Sequence, residues 1–94
     1  MPGCTIVIPC YNEADRLDLA TLIRYGTSHD QRLLFVNDGS YDATGEILDD
    51  LVSALPDCFA VRHLPKNQGK AEAVRAGLLT AVQDAPSYIG YWDA

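Results

Sequence analysis

Basic residues are scarce in this sequence. Seven lysines and arginines stand against 13 aspartates and glutamates, which gives a net charge of −6, and no block of basic residues occurs. Sequence-independent binding of nucleic acid depends on Lys and Arg side chains that neutralise phosphates, so the composition argues against a nucleic-acid partner. A phosphorylated ligand would need a bound cation or well-placed backbone N–H groups to offset repulsion from this acidic chain.

The sequence also has few cysteines and no long apolar run. Cys4, Cys10 and Cys58 are odd in number and lack metal-ligand spacing, which favours reduced thiols in a cytoplasmic protein. No basic segment precedes the first apolar run, so no signal peptide is predicted. No apolar stretch approaches the ~18 residues that a transmembrane helix needs. We therefore expect a cytoplasmic chain with no membrane segment of its own.

Two glycine-rich phosphate-binding motifs are absent. The first strand–helix turn lacks Gly-x-Gly-x-x-Gly, which disfavours a dinucleotide-binding module. The sequence also lacks Gly-x-x-x-x-Gly-Lys-Ser/Thr, which disfavours a P-loop hydrolase. The chain has 94 residues, of which 48% are hydrophobic and 21% are charged. This composition is typical of a globular protein and predicts a single domain over residues 1–94. A generic flavodoxin-like module stays open at this point.

Apolar segments alternate with helical patterns along the chain. The most informative segment is the apolar run Leu33–Val36, which leads directly into the polar turn Asn37–Ser40. Such a run, bounded by turn formers, predicts a strand buried on both faces. Strands are predicted at residues 5–8, 32–37, 58–63 and 87–92, with a helix between each successive pair. This alternation predicts an α/β fold with a parallel sheet, right-handed crossovers and helices on its faces.

Capping residues and periodicity predict where these elements begin and end. Pro9 should end the first strand, because it cannot donate to a sheet ladder. Asn12 should cap the first helix and Gly26 should close it. The third helix should open at Gly69, and its buried face is predicted to consist of Val74, Leu78, Ala81 and Val82.

Polar side chains collect where the predicted strands end. They form four groups, one after each strand: Asn12 and Glu13; Asn37, Asp38 and Ser40; Lys66, Asn67, Gly69 and Lys70; and Asp93. Taken alone, each group has a structural explanation as a helix cap, a turn, a solvated loop or a chain end. Because the carboxyl ends of parallel strands meet at one rim, their coincidence favours a ligand site there. His29 and His63 lie outside these groups and are expected to be ordinary surface or strand residues.

The sequence around these groups resembles family 2 glycosyltransferases with the GT-A fold. Ile6–Glu13 is similar to that family's opening strand and loop, and Val36–Thr44 is similar to its second motif. Asn67–Gly77 is similar to its third motif, and Tyr91–Ala94 to the start of its Asp-x-Asp motif. The motifs resemble those of dolichyl-phosphate mannose and glucose synthases. The resemblance implies a three-layer α/β/α fold with a mainly parallel sheet of strand order 3-2-1-4.

The resemblance also implies a function and a set of site residues. The donor would be a nucleotide-diphosphate sugar, carrying uridine or guanosine, held with Mg²⁺ or Mn²⁺. By motif position, Pro9, Tyr11 and Glu13 would line the nucleoside pocket. Asp38 would accept a hydrogen bond from the base, and Lys70 would approach the nucleotide. The sugar would pass to an acceptor such as a lipid phosphate or a polysaccharide, by an inverting reaction.

Asp93 is the candidate metal residue, since the resemblance implies that it faces the ribose and the metal-bound diphosphate. The sequence departs from the family pattern in two places. Asn37 stands where many members have Asp, and the second Asp of Asp-x-Asp is absent because the chain ends one residue after Asp93. The family's catalytic base and acceptor-binding half are expected downstream. We therefore expect these residues to supply a donor-nucleotide site, to contain no catalytic residue and to be inactive alone.

A second hypothesis is that the chain is a non-catalytic α/β module whose main behaviour is nucleotide binding or self-association. In the strand order implied by the resemblance, residues 88–92 form an apolar strand at one edge of the sheet. Such an edge invites pairing with another chain. This hypothesis predicts a homo-oligomer joined through residues 88–92.

Overall fold

The computed structural model describes residues 3–28, 31–84, 86 and 88–92. Within these residues, four strands alternate with three helices, in the order that the sequence pattern predicts. The elements are β1 (Cys4–Cys10), α1 (Leu19–Ser28), β2 (Gln31–Asp38), α2 (Thr44–Ala54), β3 (Phe59–Leu64), α3 (Lys70–Val82) and β4 (Tyr88–Tyr91).

The strands form one parallel sheet in the order β3-β2-β1-β4, which confirms the expected order 3-2-1-4. The central strands are β1 and β2, and their residues Cys10 and Asn37 are register partners. On the other side of β2, Asn37 is the partner of His63 on β3. The loops that follow β1, β2 and β3 therefore lie next to one another at one rim of the sheet.

Helices cover both faces of this sheet. On one face, α1 and α2 pack over a core that contains Ile8, Phe35 and Phe59, and the two phenylalanine rings lie 5.9 Å apart. On the other face, α3 packs against Val7 and Val36. The central strands are therefore buried on both sides, as their apolar runs predict. The expected three-layer α/β/α arrangement is confirmed.

β1 continues through Pro9, so the prediction that it ends there is wrong. The carbonyls of Gly3 and Val7 accept hydrogen bonds from the β4 side, each at 2.9 Å. Odd-numbered residues of β1 therefore direct their backbone groups toward β4. Val7 is the last residue of β1 that is paired with β4. Because Pro9 lies beyond it, the missing N–H of Pro9 interrupts no ladder bond among the described residues.

α1 begins later than the sequence predicts. Asn12 is not its N-cap, because this residue has a φ of 50° and lies in a left-handed turn. Asp18 caps the helix instead, with its carboxylate accepting the backbone N–H of Thr21 at 3.1 Å and the hydroxyl at 2.7 Å. These bonds lower the pKa of Asp18. Gly26 lies inside the helix rather than at its end. The Phe59 ring fills the space that a side chain at this position would need.

α3 presents small residues to the sheet. Its buried positions are Ala73, Gly77 and Ala81. Among the residues predicted for this face, Val82 is 59% exposed, while Val74 and Leu78 are half-buried. A Cβ atom on Gly77 would lie 2.4 Å from Cγ1 of Val7, so the helix backbone lies almost in contact with the strand. Ala81 is buried as predicted. The larger residues predicted beside it are only partly covered or exposed, because the helix packs too closely against the strand to admit them.

Candidate functional site

Three loops at the rim of the sheet are joined by hydrogen bonds. We call residues 11–18 the first loop, residues 39–43 the second loop and residues 65–69 the third loop. The backbone N–H of Asn12 donates to Oγ of Ser40 at 3.0 Å, and Oδ1 of Asn12 accepts the N–H of Tyr41 at 3.0 Å. These reciprocal bonds hold Asn12 in its left-handed conformation, which asparagine tolerates better than most residues.

The start of α2 supports the first loop as well. The backbone N–H of Glu13 donates to Oγ1 of Thr44 at 2.9 Å, and that of Ala14 donates to Oδ2 of Asp42 at 3.3 Å. Asp42 also accepts bonds from the hydroxyl and the backbone N–H of Thr44. The bond from the Thr44 hydroxyl is the main cause that lowers the pKa of Asp42. The first loop is therefore anchored to the second loop and to α2 at several points.

Asp38, at the end of β2, shapes the third loop. Its side chain is almost fully buried, with 2% of the residue exposed. Oδ1 accepts the backbone N–H of Gln68 at 2.7 Å, and Oδ2 accepts that of Gly69 at 3.1 Å. The side-chain amide of Asn67 donates to Oδ2 at 3.0 Å. Three donors thus compensate the burial of one carboxylate.

Gly39 lets the second and third loops approach each other. It has a φ of 69°, in the left-handed region that glycine adopts without strain. A Cβ atom at this position would lie 2.3 Å from the backbone nitrogen of Asn67 and 2.3 Å from the backbone carbon of Lys66. Any side chain here would separate the two loops, so the turn after Asp38 requires glycine for two independent reasons.

These loops surround a cleft of about 240 Å³ at the ends of β1 and β2. Its lining residues are Pro9, Cys10, Tyr11, Glu13, Asp38, Asn67 and Lys70. The cleft therefore brings together every predicted site residue that the structure describes. Asp93, the remaining one, lies outside the described residues. Cys10 was not predicted as a lining residue, and its place at the end of an apolar strand offered no signal.

The chemistry of this cleft is mixed. It contains the phenol ring of Tyr11, which meets the ring of Tyr41 edge-on at 6.2 Å. Glu13 forms an ion pair with Arg16 at 2.8 Å, and Lys70 brings an amine to the start of α3. Burial, with a smaller contribution from Glu13, raises the pKa of Cys10 to about 12, so this thiol stays neutral. An aromatic ring, carboxylates, an amide and an amine together suit a polar ligand with a flat ring and a charged group.

A second cleft, of about 270 Å³, lies on the α1 side of β1. Its lining residues are Ile8, Glu13, Arg16, Leu17, Asp18, Thr21, Leu22 and Trp92. The ring of Trp92 packs edge-on against that of Tyr25, with the ring centroids 5.1 Å apart. Glu13 lines both clefts and so separates one from the other.

Among residues 3–28, 31–84, 86 and 88–92, no group of three His, Cys, Asp or Glu side chains is placed to hold a metal ion. None of the helices in that part of the chain is long and apolar enough to cross a membrane.

Comparison with known proteins identifies the family to which this chain is similar. The model of the family described as "Glycosyl transferase family 2" matches residues 5–94 of this chain. An undecaprenyl-phosphate 4-deoxy-4-formamido-L-arabinose transferase of Pseudomonas fluorescens is 35% identical over 79 residues, which cover 78% of this chain and 23% of that relative. A polyprenol monophosphomannose synthase of Mycolicibacterium smegmatis is 36% identical over 72 residues, which cover 77% of this chain and 27% of that relative.

Solved structures share the fold. The mannosyltransferase PcManGT of Pyrobaculum calidifontis, in complex with GDP-Man and Mn²⁺, superposes with a TM-score of 0.70 at 23% identity. This match covers 84% of the present chain and 24% of the mannosyltransferase. TarS 1–349 of S. aureus superposes with a TM-score of 0.66 at 19% identity, over 96% of this chain and 26% of TarS. The present chain thus spans about a quarter of the length of these relatives.

Proposed function

Because this chain belongs to glycosyl transferase family 2, we propose that it forms the donor-nucleotide site of a GT-A enzyme. That enzyme transfers a sugar from a UDP-sugar or GDP-sugar donor to an acceptor. The observation that carries the proposal is the cleft between the three loops, which gathers Pro9, Tyr11, Glu13, Asp38 and Lys70 in one place. Residues 1–94 act in this proposal as one nucleotide-sugar-binding domain. A cytoplasmic location belongs to it as well, supported by three cysteines that are all unpaired.

Each lining residue has a role that its chemistry supports. The ring of Tyr11 offers a face on which a base stacks. An ionised carboxylate has about four acceptor positions, and Asp38 uses three of them on the third loop. The remaining position accepts an N–H of the base. Lys70 neutralises part of the diphosphate charge, in a chain whose net charge is −6.

Mg²⁺ or Mn²⁺ is part of the proposal, and its support comes from the Mn²⁺ named with the mannosyltransferase. The described residues do not form a cation site on their own. We assign Asp93 to the ion, as one oxygen ligand beside those of the donor diphosphate. A bound ion would neutralise the leaving diphosphate when the glycosidic bond breaks.

The acceptor and the catalytic base belong to the rest of the enzyme in this proposal, since the chain spans about a quarter of its relatives. The names of two relatives contain undecaprenyl phosphate and polyprenol, which supports a lipid phosphate as acceptor. The proposal also includes inversion of the configuration at the anomeric carbon of the transferred sugar. The 94-residue chain therefore binds the donor nucleotide and does not transfer the sugar unaided.

Titration calorimetry with GDP, UDP and their sugars, with and without Mn²⁺, tests the proposal. One nucleotide should bind, more tightly with Mn²⁺. The variant Lys70→Met should bind that nucleotide roughly tenfold more weakly, because a charge-assisted contact is lost. Lys66→Met is the matched control, since Lys66 is exposed on the third loop and does not line the cleft. Absence of binding by either nucleotide at millimolar concentration would refute the proposal.

Self-association is a second candidate function. The observation that favours it is β4, which pairs with β1 along one edge and exposes 74% of Tyr88 and 61% of Tyr91. We propose a second copy of this chain as the partner of that edge. The two functions are compatible, because β4 pairs with β1 on the side away from the second and third loops.

A further inference from the structure

A chain of side-chain hydrogen bonds leads from the surface of α2 into the sheet. Nδ1 of His63, on β3, lies 3.0 Å from Nδ2 of Asn37 on β2. Nε2 of His63 lies 2.8 Å from Oδ1 of Asp49 on α2. Asn37 is only 6% exposed, so its amide must find its partners within the protein. His63 is therefore not the ordinary strand residue that the sequence suggests.

The partners determine the direction of each bond. Oδ1 of Asn37 accepts the backbone N–H of Ser40 at 3.2 Å. Nδ2 of Asn37 is then the atom that faces His63, and an amide nitrogen can only donate. Nδ1 of His63 must accept, so the ring proton is on Nε2 and is donated to Asp49. The neutral Nε2–H tautomer is the state of His63 that satisfies every group in the chain.

The packing of α2 leaves room for this arrangement. A Cβ atom on Gly45, in the first turn of α2, would lie 3.0 Å from Nδ2 of Asn37. It would also lie 3.7 Å from Cε1 and 3.9 Å from Nδ1 of the His63 ring. A glycine at this position therefore lets the helix backbone cover the Asn37–His63 bond without disturbing it.

The same chain of bonds continues to the cleft. Ser40, whose N–H is held by Asn37, accepts the backbone N–H of Asn12 through its hydroxyl at 3.0 Å. Asn12 lies between Tyr11 and Glu13, which both line the cleft. The left-handed conformation of Asn12 is held by such bonds, since even asparagine, which tolerates it better than most residues, adopts it in a minority of cases. A displacement of Asn37 would therefore be passed to the first loop through Ser40.

We propose that His63 is a positioning residue of the donor site, which sets the first loop by holding the amide of Asn37. This inference rests on the proposed nucleotide-binding function. His63 itself does not line the cleft. Its effect on a bound nucleotide is transmitted through Asn37, Ser40 and Asn12.

Protonation of His63 gives this role a pH dependence. A proton on Nδ1 removes the acceptor for Asn37, and the resulting imidazolium keeps its bond to Asp49. Arg62, the neighbour on β3, does not interfere, because its guanidinium donates to Ala76 and Thr80 of α3. The side chain of Asp38 is likewise directed to the third loop. Nucleotide binding should thus be favoured when Nδ1 is free to accept and opposed when Nδ1 carries a proton.

Calorimetry on the full chain at about pH 8 and about pH 5.5 tests this role. With GDP or UDP as probe, wild-type affinity should fall roughly tenfold at the lower pH, since a buried amide loses its acceptor. His63→Phe should bind roughly tenfold more weakly than wild type at about pH 8 and should match wild type at about pH 5.5. Asn37→Asp should abolish the loss at low pH, because its carboxylate accepts from both Ser40 and a protonated His63.

Arg62→Met, on the same strand but the opposite face, is the control and should keep the wild-type affinity and pH dependence. Wild-type behaviour of His63→Phe would overturn the positioning role, as would an unchanged pH dependence in Asn37→Asp. If wild-type protein binds neither nucleotide, the proposed function fails, and hydrogen exchange of the Asn12 and Ser40 amides becomes the decisive measurement. Faster exchange in His63→Phe at about pH 8 supports the positioning role, and equal exchange rates overturn it.

Discussion

The carboxylate of Asp38 accepts three hydrogen bonds from the third loop and lies at the base of the cleft. Two of the donors are backbone N–H groups of Gln68 and Gly69, which immediately precede α3. No neutral side chain of the same shape offers two acceptor oxygens, so this position requires an acid. Base recognition by Asp38, which the family resemblance implies, stays a prediction and uses the acceptor position that the loop leaves open.

Asp38→Asn should destabilise the protein by about 1–3 kcal/mol, because the new amide would point an N–H at a buried donor of the third loop. Urea denaturation measures this loss. Asp50→Asn, at an exposed position of α2, is the control and should change the free energy of unfolding by less than about 0.5 kcal/mol. Equal stability of the two variants would show that the third loop does not depend on Asp38.

Cys10 predicts how stability varies at alkaline pH. Burial raises its pKa from 9.0 to about 12, so above pH 9 the unfolded chain loses this proton while the folded chain keeps it. The folded state then binds more protons, and stability should fall by about 1.4 kcal/mol per pH unit from this group. Urea denaturation between pH 9 and 11 should show a shallower decline for Cys10→Ser than for wild type. Parallel declines in the free energy of unfolding would contradict the raised pKa of Cys10, because tyrosine and lysine contributions are common to both proteins.

At the scale of elements, the contact between α3 and the sheet depends on the absence of side chains. Gly77 places the helix backbone against β1 and β2, with Val7 and Val36 filling the space beside it. The close approach also decides where the start of α3 lies, and Lys70 at that start lines the cleft. Packing on one face of the sheet therefore contributes to the position of a site residue at its rim.

Gly77→Ala should destabilise the protein although alanine is the better helix former. The added Cβ atom would lie 2.4 Å from Val7 and 2.8 Å from Val36. Overpacking should exceed the gain of about 1 kcal/mol in helix propensity and leave a net loss of about 1–2 kcal/mol. Gly90→Ala is the control, because its new Cβ atom would meet Ile6 at an ordinary 3.6 Å. A thermal unfolding series compares the two, and a Gly77→Ala variant more stable than wild type would contradict the close approach.

At the scale of the whole molecule, β4 is one of the two edge strands of the described sheet, the other being β3. The backbone N–H groups of Tyr88 and Trp92 donate to β1, so by alternation those of Ile89 and Tyr91 point away from it. Within the described part of the chain, β4 pairs with β1 alone. Unpaired backbone donors beside exposed tyrosines are the features that natural edge strands usually avoid.

Sedimentation velocity over a range of concentrations should show self-association of the wild-type chain. Tyr91→Pro should remain monomeric, because proline removes an outward N–H and leaves the bonds to β1 intact. Tyr91→Thr keeps that N–H and removes the ring, so it separates backbone pairing from aromatic contact. A wild-type chain that stays monomeric at the highest concentration would exclude assembly through this edge.

Much of the candidate site was predictable because it lies where strands end. Apolar runs such as Leu33–Val36 reveal buried strands, and the residues that follow them must meet at one rim. The sequence pattern alone therefore predicts that Glu13, Asp38 and Lys70 lie together. His63 could not be recognised in this way, since its contacts with Asn37 and Asp49 join residues that are distant in the sequence.

The sequence by itself determined the order of the elements, the parallel sheet and the rim that carries the cleft. These properties follow from local apolar patterns and from turn residues, which act within a few positions of the chain. Only the tertiary structure decided that α1 begins after Asp18, that α3 buries small residues and that Asn12 adopts a left-handed turn. The turn at Asn12 and the packing of α3 depend on neighbours from other elements, Ser40 beside Asn12 and Val7 beside Gly77. Local sequence preferences do not specify such neighbours, because packing and long-range hydrogen bonds override them.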